Sequence, residues 1–423
     1  MSDQPSGPAQ AGDVLELSVG EAASGGWCVG HPVAQPEAVG DAGRFVVFVR
    51  HALPGEQVRA VLTQVTSRFA RADAVEILRA APERVSPPCP HAGPGGCGGC
   101  DWQHATLAAQ REFKALIIAQ QFRRIAGLDL PVTVEPLAGD AGGLGWRTRV
   151  RFAVDRAGAA GLYRHRSHEV VRIGDCLIAH PLVTEAGVTR QRWPGARSVD
   201  VAVAPVTGER AVVVQGGPRQ GTDQAFLTQR AAGRDWRVNA RGFWQVHPGA
   251  ADALADAVLG ALRPEPGDRA LDLYCGAGLF AGVLADVVGP AGAVIAVEQD
   301  AAAVRDARHN LRGTPWARVH RGDAAEVIGR IGPSGATIAV LDPPRAGLRP
   351  ALIDTLCAAG QPDAAGLAGL RRIAYVSCDP ATLARDVAAF ARRGWRLERL
   401  RAFDAFPMTH HVECLAVLAP AEH

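Results

Sequence analysis

Residues 270–280 read Ala-Leu-Asp-Leu-Tyr-Cys-Gly-Ala-Gly-Leu-Phe and predict the start of a Rossmann-type domain. An apolar strand with an acidic residue and a Gly-x-Gly turn is typical of such a unit, because glycine lets the backbone approach a ligand closely. The next apolar run, residues 293–297, ends on Glu298, about 20 residues beyond the glycines, where a carboxylate can hold ribose hydroxyls. The pattern favours S-adenosylmethionine as the ligand and leaves NAD open.

The alternation of strands and helices continues to the end of the chain. A third strand pattern precedes Gly322-Asp323, and later ones lie at 338–341, 374–377, 395–402 and 411–418. No Gly-x4-Gly-Lys-Ser/Thr loop is present, which argues against a nucleoside triphosphatase. We therefore predict a C-terminal Rossmann-like domain over residues 241–423.

The N-terminal part has a different organisation. Residues 1–12 are rich in Pro, Gly and Ser and predict a disordered tail. About five short β-type runs follow within residues 13–80 and predict a small barrel of the OB type. Residues 105–127 predict an amphipathic helix that ends at Gly127 and packs on its neighbours, including the C-terminal domain. The fold class is thus multidomain α/β, with a central antiparallel-sheet domain over residues 81–240.

The composition is that of an ordinary globular chain. It has 423 residues, 48% hydrophobic and 21% charged, which predicts two or three domains. The net charge of +2 argues neither for nor against binding to nucleic acid. There is no signal-peptide core and no apolar run of membrane-spanning length, so we expect a cytoplasmic monomer without a membrane partner.

A Gly/Pro-rich stretch at residues 87–104 predicts a metal or cluster site. Cys89, Cys97 and Cys100 lie in this stretch, and Cys176 is the nearest later cysteine that can complete a set of four. Nine cysteines in a long chain with no secretory signal also favour metal or catalytic roles over disulfides. Spacing alone leaves open a zinc ion and a [4Fe–4S] cluster.

Residues 147–172 predict an RNA contact. The segment has seven arginines against two acidic residues, and Arg147, Arg149 and Arg151 alternate so that one strand face would carry three guanidiniums. Arginine forks suit phosphates, and the interleaved aromatic residues suit stacked bases. The alternative is a solvated polar sheet face.

Cys378 lies at the end of one predicted strand, in Ala-Tyr-Val-Ser-Cys-Asp-Pro (residues 374–380). In open α/β sheets this edge is where ligands bind. A thiol there is either a nucleophile or an inert packing residue, and the strand pattern alone does not decide between them.

Taken together, these motifs resemble the uracil-C5 RNA methyltransferases, in the branch with an N-terminal TRAM barrel and an iron–sulfur cluster. The resemblance covers nearly the whole chain. It rests on Cys-Gly-Gly-Cys at 97–100, Trp-Arg-Thr-Arg-Val-Arg-Phe at 146–152, Phe-Trp-Gln-Val-His-Pro at 243–248, the stretch at 271–278, Asp-Pro-Pro-Arg-Ala-Gly at 342–347, the stretch at 376–386 and His-His-Val-Glu-Cys at 410–414.

The resemblance implies roles for individual residues. Cys378 would be the nucleophile and Glu413 the general base. Cys89, Cys97, Cys100 and Cys176 would hold a structural [4Fe–4S] cluster. Contacts to S-adenosylmethionine would come from Gln245, Tyr274, Gly276, Glu298, Asp323 and Asp342. The implied substrate is a uridine of 23S ribosomal RNA, contacted by the Arg147–Arg172 region and the barrel.

Two departures and several alternatives accompany this expectation. The spacing from Cys89 to Cys97 is longer than is common in the family, and Leu279 replaces a frequent Asn. The Asp342-Pro-Pro-Arg345 loop has no cysteine, which argues against a cytosine-C5 enzyme, and Arg345 argues against an amino-group methyltransferase. A tRNA substrate, or an RNA-binding assembly factor with a degenerate methyltransferase domain, remains as an alternative.

Overall fold

The computed structural model describes residues 10–33, 46–332, 335–360 and 369–421. Most of the predicted tail at residues 1–12 lies outside these ranges. The first two residues of the strand predicted at 44–49 also lie outside them.

The N-terminal part is a closed five-stranded barrel, which confirms the predicted barrel. Its strands follow the order β1-β2-β3-β5-β4, and β1 pairs with β4 to close it. Alternate residues such as Leu17, Val19, Val58 and Ala60 point inward and are buried. The strands are β1 Val14–Ala23, β2 Trp27–Pro32, β3 Val46–Arg50, β4 Gln57–Val65 and β5 Phe69–Arg79.

A long helix connects the barrel to the rest of the molecule. Helix α1, Leu107–Gln121, is capped by the Thr106 side chain, continues as a π-helical turn over Phe122–Ala126, and ends at Gly127 in a left-handed conformation. Phe113 packs into the barrel core, whereas Ile118 and Phe122 pack into the core of the C-terminal domain. The helix therefore joins two hydrophobic cores.

A six-stranded antiparallel sheet occupies the middle of the chain. Its order is β12-β11-β10-β7-β8-β9. A short helix, α2 Pro181–Thr184, and a 3-10 turn, Val188–Arg190, lie between its strands, and a separate hairpin follows it. The strands are β7 Arg149–Val154, β8 Ala160–Tyr163, β9 Val170–Arg172, β10 Ser198–Ala204, β11 Glu209–Gln215 and β12 Gly221–Thr222, and the hairpin is β13 Phe226–Ala231 with β14 Arg234–Asn239.

The C-terminal half is an eight-stranded sheet with helices on both faces. Five strands are parallel, and the closing strand β21 is antiparallel to its neighbours. The sheet order is β17-β16-β15-β18-β19-β21-β20-β6. Its strands are β15 Arg269–Leu273, β16 Ala293–Glu298, β17 Ala317–Arg321, β18 Ile338–Leu341, β19 Arg372–Ser377, β20 Trp395–Asp404 and β21 Glu413–Pro420. Its helices are α3 Ala250–Leu262, α4 Leu279–Val288, α5 Ala301–Asn310, α6 Ala324–Ile331, α7 Pro350–Ala358 and α8 Pro380–Ala391.

The eighth strand of this sheet comes from far upstream. β6, Val134–Pro136, pairs in parallel with β20, although the sequence assigned residues 81–240 to the central domain. Three residues are too few for a periodic signal, so this pairing was not predictable from pattern alone. No helix in the described ranges is long and apolar enough to span a membrane.

Candidate active site

Cys378 lies at the carboxyl edge of the large sheet, between β19 and α8. Asp379 caps α8 by accepting a hydrogen bond from the Thr382 amide at 2.8 Å, which fixes the turn that contains Cys378. β19 pairs with β21 so that Ser377 lies opposite Cys414. Cys378 directly follows Ser377 and Glu413 directly precedes Cys414, and the Glu413 charge acts on the Cys378 thiol, so the two predicted catalytic residues lie close together.

The carboxyl groups near Cys378 lie in a poorly solvated environment. Glu413 is buried at the first position of β21, and Asp342 follows β18, which lies on the other side of β19 in the sheet. Burial raises the pKa of Glu413 well above its usual range, and the nearby charge of Asp342 raises it further. Burial also raises the pKa of Asp342. A carboxyl group with a raised pKa is a stronger base once it is ionised.

Arg345 places a positive charge beside Cys378. Burial and the Glu413 charge raise the pKa of the Cys378 thiol, whereas the charge of Arg345 and a hydrogen bond from it lower that pKa. The Arg345 guanidinium also lies 3.2 Å from Nδ1 of His411. Arg345 therefore favours the thiolate form of Cys378, whereas burial and the Glu413 charge oppose it.

Replacing Arg345 by methionine is expected to shift the pH–rate profile of methyl transfer to higher pH. Arg345 lowers the pKa values of both Cys378 and Glu413, so its loss leaves both groups protonated to a higher pH. The profile of kcat/KM between pH 6 and about pH 10 measures this shift, and Arg345→Lys should recover part of it. An unchanged profile for Arg345→Met would contradict an electrostatic role.

Cys378 opens into a cavity of about 140 Å³ between three parts of the chain. The barrel contributes the turn between β1 and β2, helix α1 forms a second wall, and the loop before β21 forms the third. The residues from these walls are Ser24, Gly25, Lys114, Ile117, Gln121, His410, His411 and Val412. The thiol is therefore reachable from outside while Glu413 lies buried behind it.

The loop between β20 and β21 is held by two residues from much earlier in the chain, Lys114 and Asp101. Buried Lys114 donates to Asp404 Oδ1 at 2.5 Å and to the Phe406 carbonyl at 3.1 Å. Asp101, next to Cys100, accepts from the backbone and the ring of His410 at 3.1 and 2.7 Å. Sequence analysis missed these contacts, because polar residues so far apart give no local pattern.

The predicted cofactor residues follow the ends of the parallel strands. The Gly276 amide donates to Glu298 Oε2 at 3.0 Å, so the turn after β15 and the end of β16 are joined. Asp323 caps α6 after β17. In the described chain no hydrogen bond joins Gln245, which is buried before α3, to these residues.

The turn after β15 fits a ligand at this edge. Tyr274 and Gly276 have left-handed backbones, and apart from Gly276 and its two chain neighbours no described residue has an atom within 4 Å of the place where a Gly276 Cβ would stand. Asp272 is fully buried, its pKa is raised by burial to about 8, and its Oδ1 has no hydrogen-bond partner in the described residues. An open backbone beside carboxylates suits the sugar and amino groups of a nucleoside cofactor.

The four predicted cluster cysteines line one enclosed cavity. All four are free thiols, and Gln103 connects two of them by accepting from the Cys89 amide and donating to Cys100 Sγ, both at 3.1 Å. Across the described ranges, no three Cys, His, Asp or Glu side chains converge closely enough for a single metal ion. The cysteines are gathered, but not around one point.

The prediction that β7 presents a face of three arginines to RNA is wrong in part. Arg147 lines the cysteine cavity. The Arg149 guanidinium is buried and donates to the carbonyls of Ala240 and Gly242 at 3.2 and 2.7 Å, because that sheet face packs against the segment before α3. Arg151 is exposed but pairs with Asp200 through two bonds of 2.8 and 2.7 Å. The sequence could not reveal which face the later segment covers.

Two family models match the C-terminal half. One, described as tRNA (Uracil-5-)-methyltransferase, matches residues 335–420, and one described as Protein-L-isoaspartate(D-aspartate) O-methyltransferase matches residues 250–331. A solved structure of a Pyrococcus abyssi tRNA (uracil-54, C5)-methyltransferase in complex with S-adenosyl-L-homocysteine has a TM-score of 0.66 at 24% identity. It covers 88% of this chain and 95% of that chain. This similarity shows a shared fold.

Curated relatives match almost the full length. An uncharacterized RNA methyltransferase of Streptomyces avermitilis is 46% identical and covers 97% of this chain and 99% of the relative. A protein of Alkalilimnicola ehrlichii named 23S rRNA (uracil(1939)-C(5))-methyltransferase RlmD is 32% identical, over 88% of this chain and 91% of the relative. With the family match at residues 335–420, these similarities show that the chain belongs to the S-adenosylmethionine-dependent RNA (uracil-5-)-methyltransferases.

Proposed function

We propose that this enzyme methylates C5 of a uridine in 23S ribosomal RNA, with Cys378 as the nucleophile and Glu413 as the general base. The observation that carries the proposal is the juxtaposition of Cys378, Glu413 and Arg345 at the end of β19, beside a cavity open to the outside. The 23S rRNA substrate is supported by the relative from Alkalilimnicola ehrlichii, whose name states that substrate.

Cys378 has the first chemical role. Uracil C5 is a weak nucleophile, so Cys378 Sγ adds to C6 and the C5–C6 π electrons move to C5 and the O4 carbonyl. The resulting enolate attacks through C5. When bound, S-adenosylmethionine would supply the electrophilic methyl group, with a neutral thioether as the leaving group. Arg345 supports addition by stabilising the thiolate.

Glu413 has the second role. After methylation C5 carries both a proton and the new methyl group. The Glu413 carboxylate removes that proton, the C5=C6 bond forms again, and Cys378 leaves as a thiolate. The raised pKa of Glu413 makes it a competent proton acceptor in this position. Its burial behind Cys378 also limits access of water to the base.

The cofactor would be held at the ends of β15 to β18 by Tyr274, Gly276, Glu298, Asp323 and Asp342, with Gln245 from the segment before α3. Glu298 suits ribose hydroxyls, because the Gly276 amide already orients one of its oxygens. Asp342 adjoins both this edge and Glu413, which would bring the methyl donor next to the target base.

We further propose that Cys89, Cys97, Cys100 and Cys176 hold a [4Fe–4S] cluster with a structural role. The proposal is supported by four free thiols that line one cavity, because cysteine thiolates are the usual ligands of such clusters. The cluster would tie the loop at residues 89–100 to the segment around Cys176. The barrel would then be the TRAM module of this branch.

Replacing Cys176 by serine is expected to remove bound iron and sulfide and to lower the melting temperature, since one thiolate ligand is lost. Iron and zinc analysis of anaerobically purified protein, with visible absorbance, measures the change. Cys357→Ser, in α7 away from the cavity, should keep its iron. Zinc in place of iron in the unmodified protein would contradict the cluster.

The substrate is tested by mapping 5-methyluridine in 23S rRNA and in tRNA from cells with and without this protein. We expect one or more 5-methyluridines to disappear from 23S rRNA and the tRNA pattern to stay unchanged. Loss of 5-methyluridine from tRNA alone would show that the substrate is tRNA and not 23S rRNA. An unchanged pattern in both RNAs would contradict the proposal as a whole.

A further inference from the structure

A group of arginines surrounds the indole of Trp27, where the barrel meets the central sheet. The guanidinium carbons of Arg50, Arg71 and Arg166 lie 5.9, 5.7 and 5.7 Å from the centre of the Trp27 ring. His165 contacts the same indole edge-on, with ring centres 5.8 Å apart. These five residues, from β2, β3, β5 and the turn after β8, form what we call the Trp27 site.

The positive charge of the Trp27 site is only partly neutralised. Buried Arg50 lies 3.6 Å from the carboxylate of Asp101. By contrast, no carboxylate in the described ranges lies within ion-pair distance of Arg71 or Arg166, and nearby Glu169 pairs with Arg164 instead. Desolvation and the Arg166 charge lower the pKa of Arg71, as expected for like charges held close together. Arg71 and Arg166 therefore lack a counter-ion among the described residues, whereas Arg50 has Asp101.

Arg71 and Arg166, which have no carboxylate partner in the described part of the chain, are both held in position, and Arg71 Nη1 donates to Gln64 Oε1. The Arg71 guanidinium also lies 5.0 Å from the ring of Phe69, so it stands between two aromatic rings. Arg166 has a left-handed backbone with a φ of 52°, which residues other than glycine rarely adopt, and the turn directs its side chain to Trp27. Fixed guanidiniums lose less freedom when an anion binds.

The Trp27 site is adjacent to the cavity of Cys378. Gly25 lines that cavity, and a Cβ at Gly25 would stand 3.1 Å from Cδ1 of Trp27. An RNA strand that places a uridine at Cys378 would thus run close to Arg71 and Arg166, provided that the proposed function is correct.

We propose that Arg71 and Arg166 of the Trp27 site bind a backbone phosphate of the RNA strand next to the target uridine. Guanidinium forks match phosphate oxygens, and two cations without a counter-ion beside a catalytic cavity are suited to such an anion. Phosphate contacts position the strand without reading its sequence. The site would therefore orient the substrate, and other contacts would select the uridine.

The test measures binding of fluorescein-labelled oligouridylate and oligocytidylate to the full chain over a range of KCl concentrations. Each phosphate contact contributes about 0.7 to the slope of log K against log salt for single strands. Arg71→Gln and Arg166→Gln should each lower the slope by about this amount, equally on both oligonucleotides, with Arg71→Lys closer to the unmodified protein. Arg59→Gln removes one charge from the same barrel at a residue paired with Glu16 and Glu76, and serves as the matched control.

Three results would overturn this assignment. Slopes for the two variants equal to that of Arg59→Gln would show that only long-range charge matters. A lower slope on oligouridylate but not on oligocytidylate would show that the two arginines recognise the base. Lower slopes confined to glutamine variants whose melting temperature collapses, together with inorganic phosphate that fails to compete with RNA for the unmodified protein, would show that Arg71 and Arg166 have a packing role only. Absence of 5-methyluridine formation by the unmodified enzyme would instead contradict the proposed function and leave the binding result standing.

Discussion

Replacing Cys378 by alanine is expected to lower methyl transfer by about 10⁴-fold or more and to abolish covalent capture of RNA that contains 5-fluorouridine. Removing a covalent nucleophile eliminates the activated intermediate, and losses of this size are usual for such residues. Release of tritium from C5-tritiated uridine RNA measures turnover, and a denaturing gel measures the covalent protein–RNA complex.

Cys357→Ala is the matched control for this experiment. Cys357 is also a cysteine of the C-terminal domain, but it lies in α7, and burial raises its pKa to about 12. This control should keep both tritium release and the covalent complex. A complex that persists in Cys378→Ala would assign the nucleophile to another residue.

Replacing Glu413 by glutamine is expected to trap the methylated RNA on the enzyme. Cys378 can still add to the ring and C5 can still receive the methyl group, but no base removes the C5 proton. Turnover should fall by about 10²- to 10⁴-fold, the usual contribution of general acid–base catalysis. A denaturing gel with a labelled methyl donor should show the label in a protein–RNA band.

Two carboxyl variants sharpen the interpretation. Glu326→Gln, at an exposed position of α6, should turn over normally. Asp342→Asn distinguishes the role of Asp342 from that of Glu413. Because this variant loses a cofactor contact, methylation should not occur and the gel should show no labelled band. A labelled band in Asp342→Asn with normal turnover in Glu413→Gln would make Asp342 the base instead.

Much of the C-terminal domain could be predicted because its signals are local. The parallel strands are short apolar runs followed by glycines or acids, and β18 is buried at all four positions, as expected for an interior parallel strand. Ser377 pairs with Cys414 between β19 and β21, which brings Cys378 and Glu413 close together, whereas the roles that the resemblance implies for these two residues stay predictions. The barrel was predictable for a similar reason, since its strands alternate between inward apolar and outward polar residues.

The remaining features depend on long-range packing. Arg149 was expected to face RNA, but a segment about 90 residues later covers its side of the sheet. Arg345 belongs to the Asp342-Pro-Pro-Arg345 motif, but it affects the Cys378 thiol because β18 and β19 are neighbours, and the motif alone does not show that pairing. The contact of Asp101 with His410 likewise joins two loops that share no sequence pattern.

The Lys114–Asp404 contact has a consequence for synthesis of the chain on the ribosome. Its two residues are 290 positions apart, and β6 likewise has no pairing strand until β20 has been synthesised. At about 5–20 residues per second, helix α1 emerges about 15 to 60 s before its partners exist. Throughout that interval Ile118 and Phe122 lack the core they finally join, so the nascent chain exposes an apolar face that chaperones recognise. The loop between β20 and β21 is consequently among the last parts of the molecule to reach its final form.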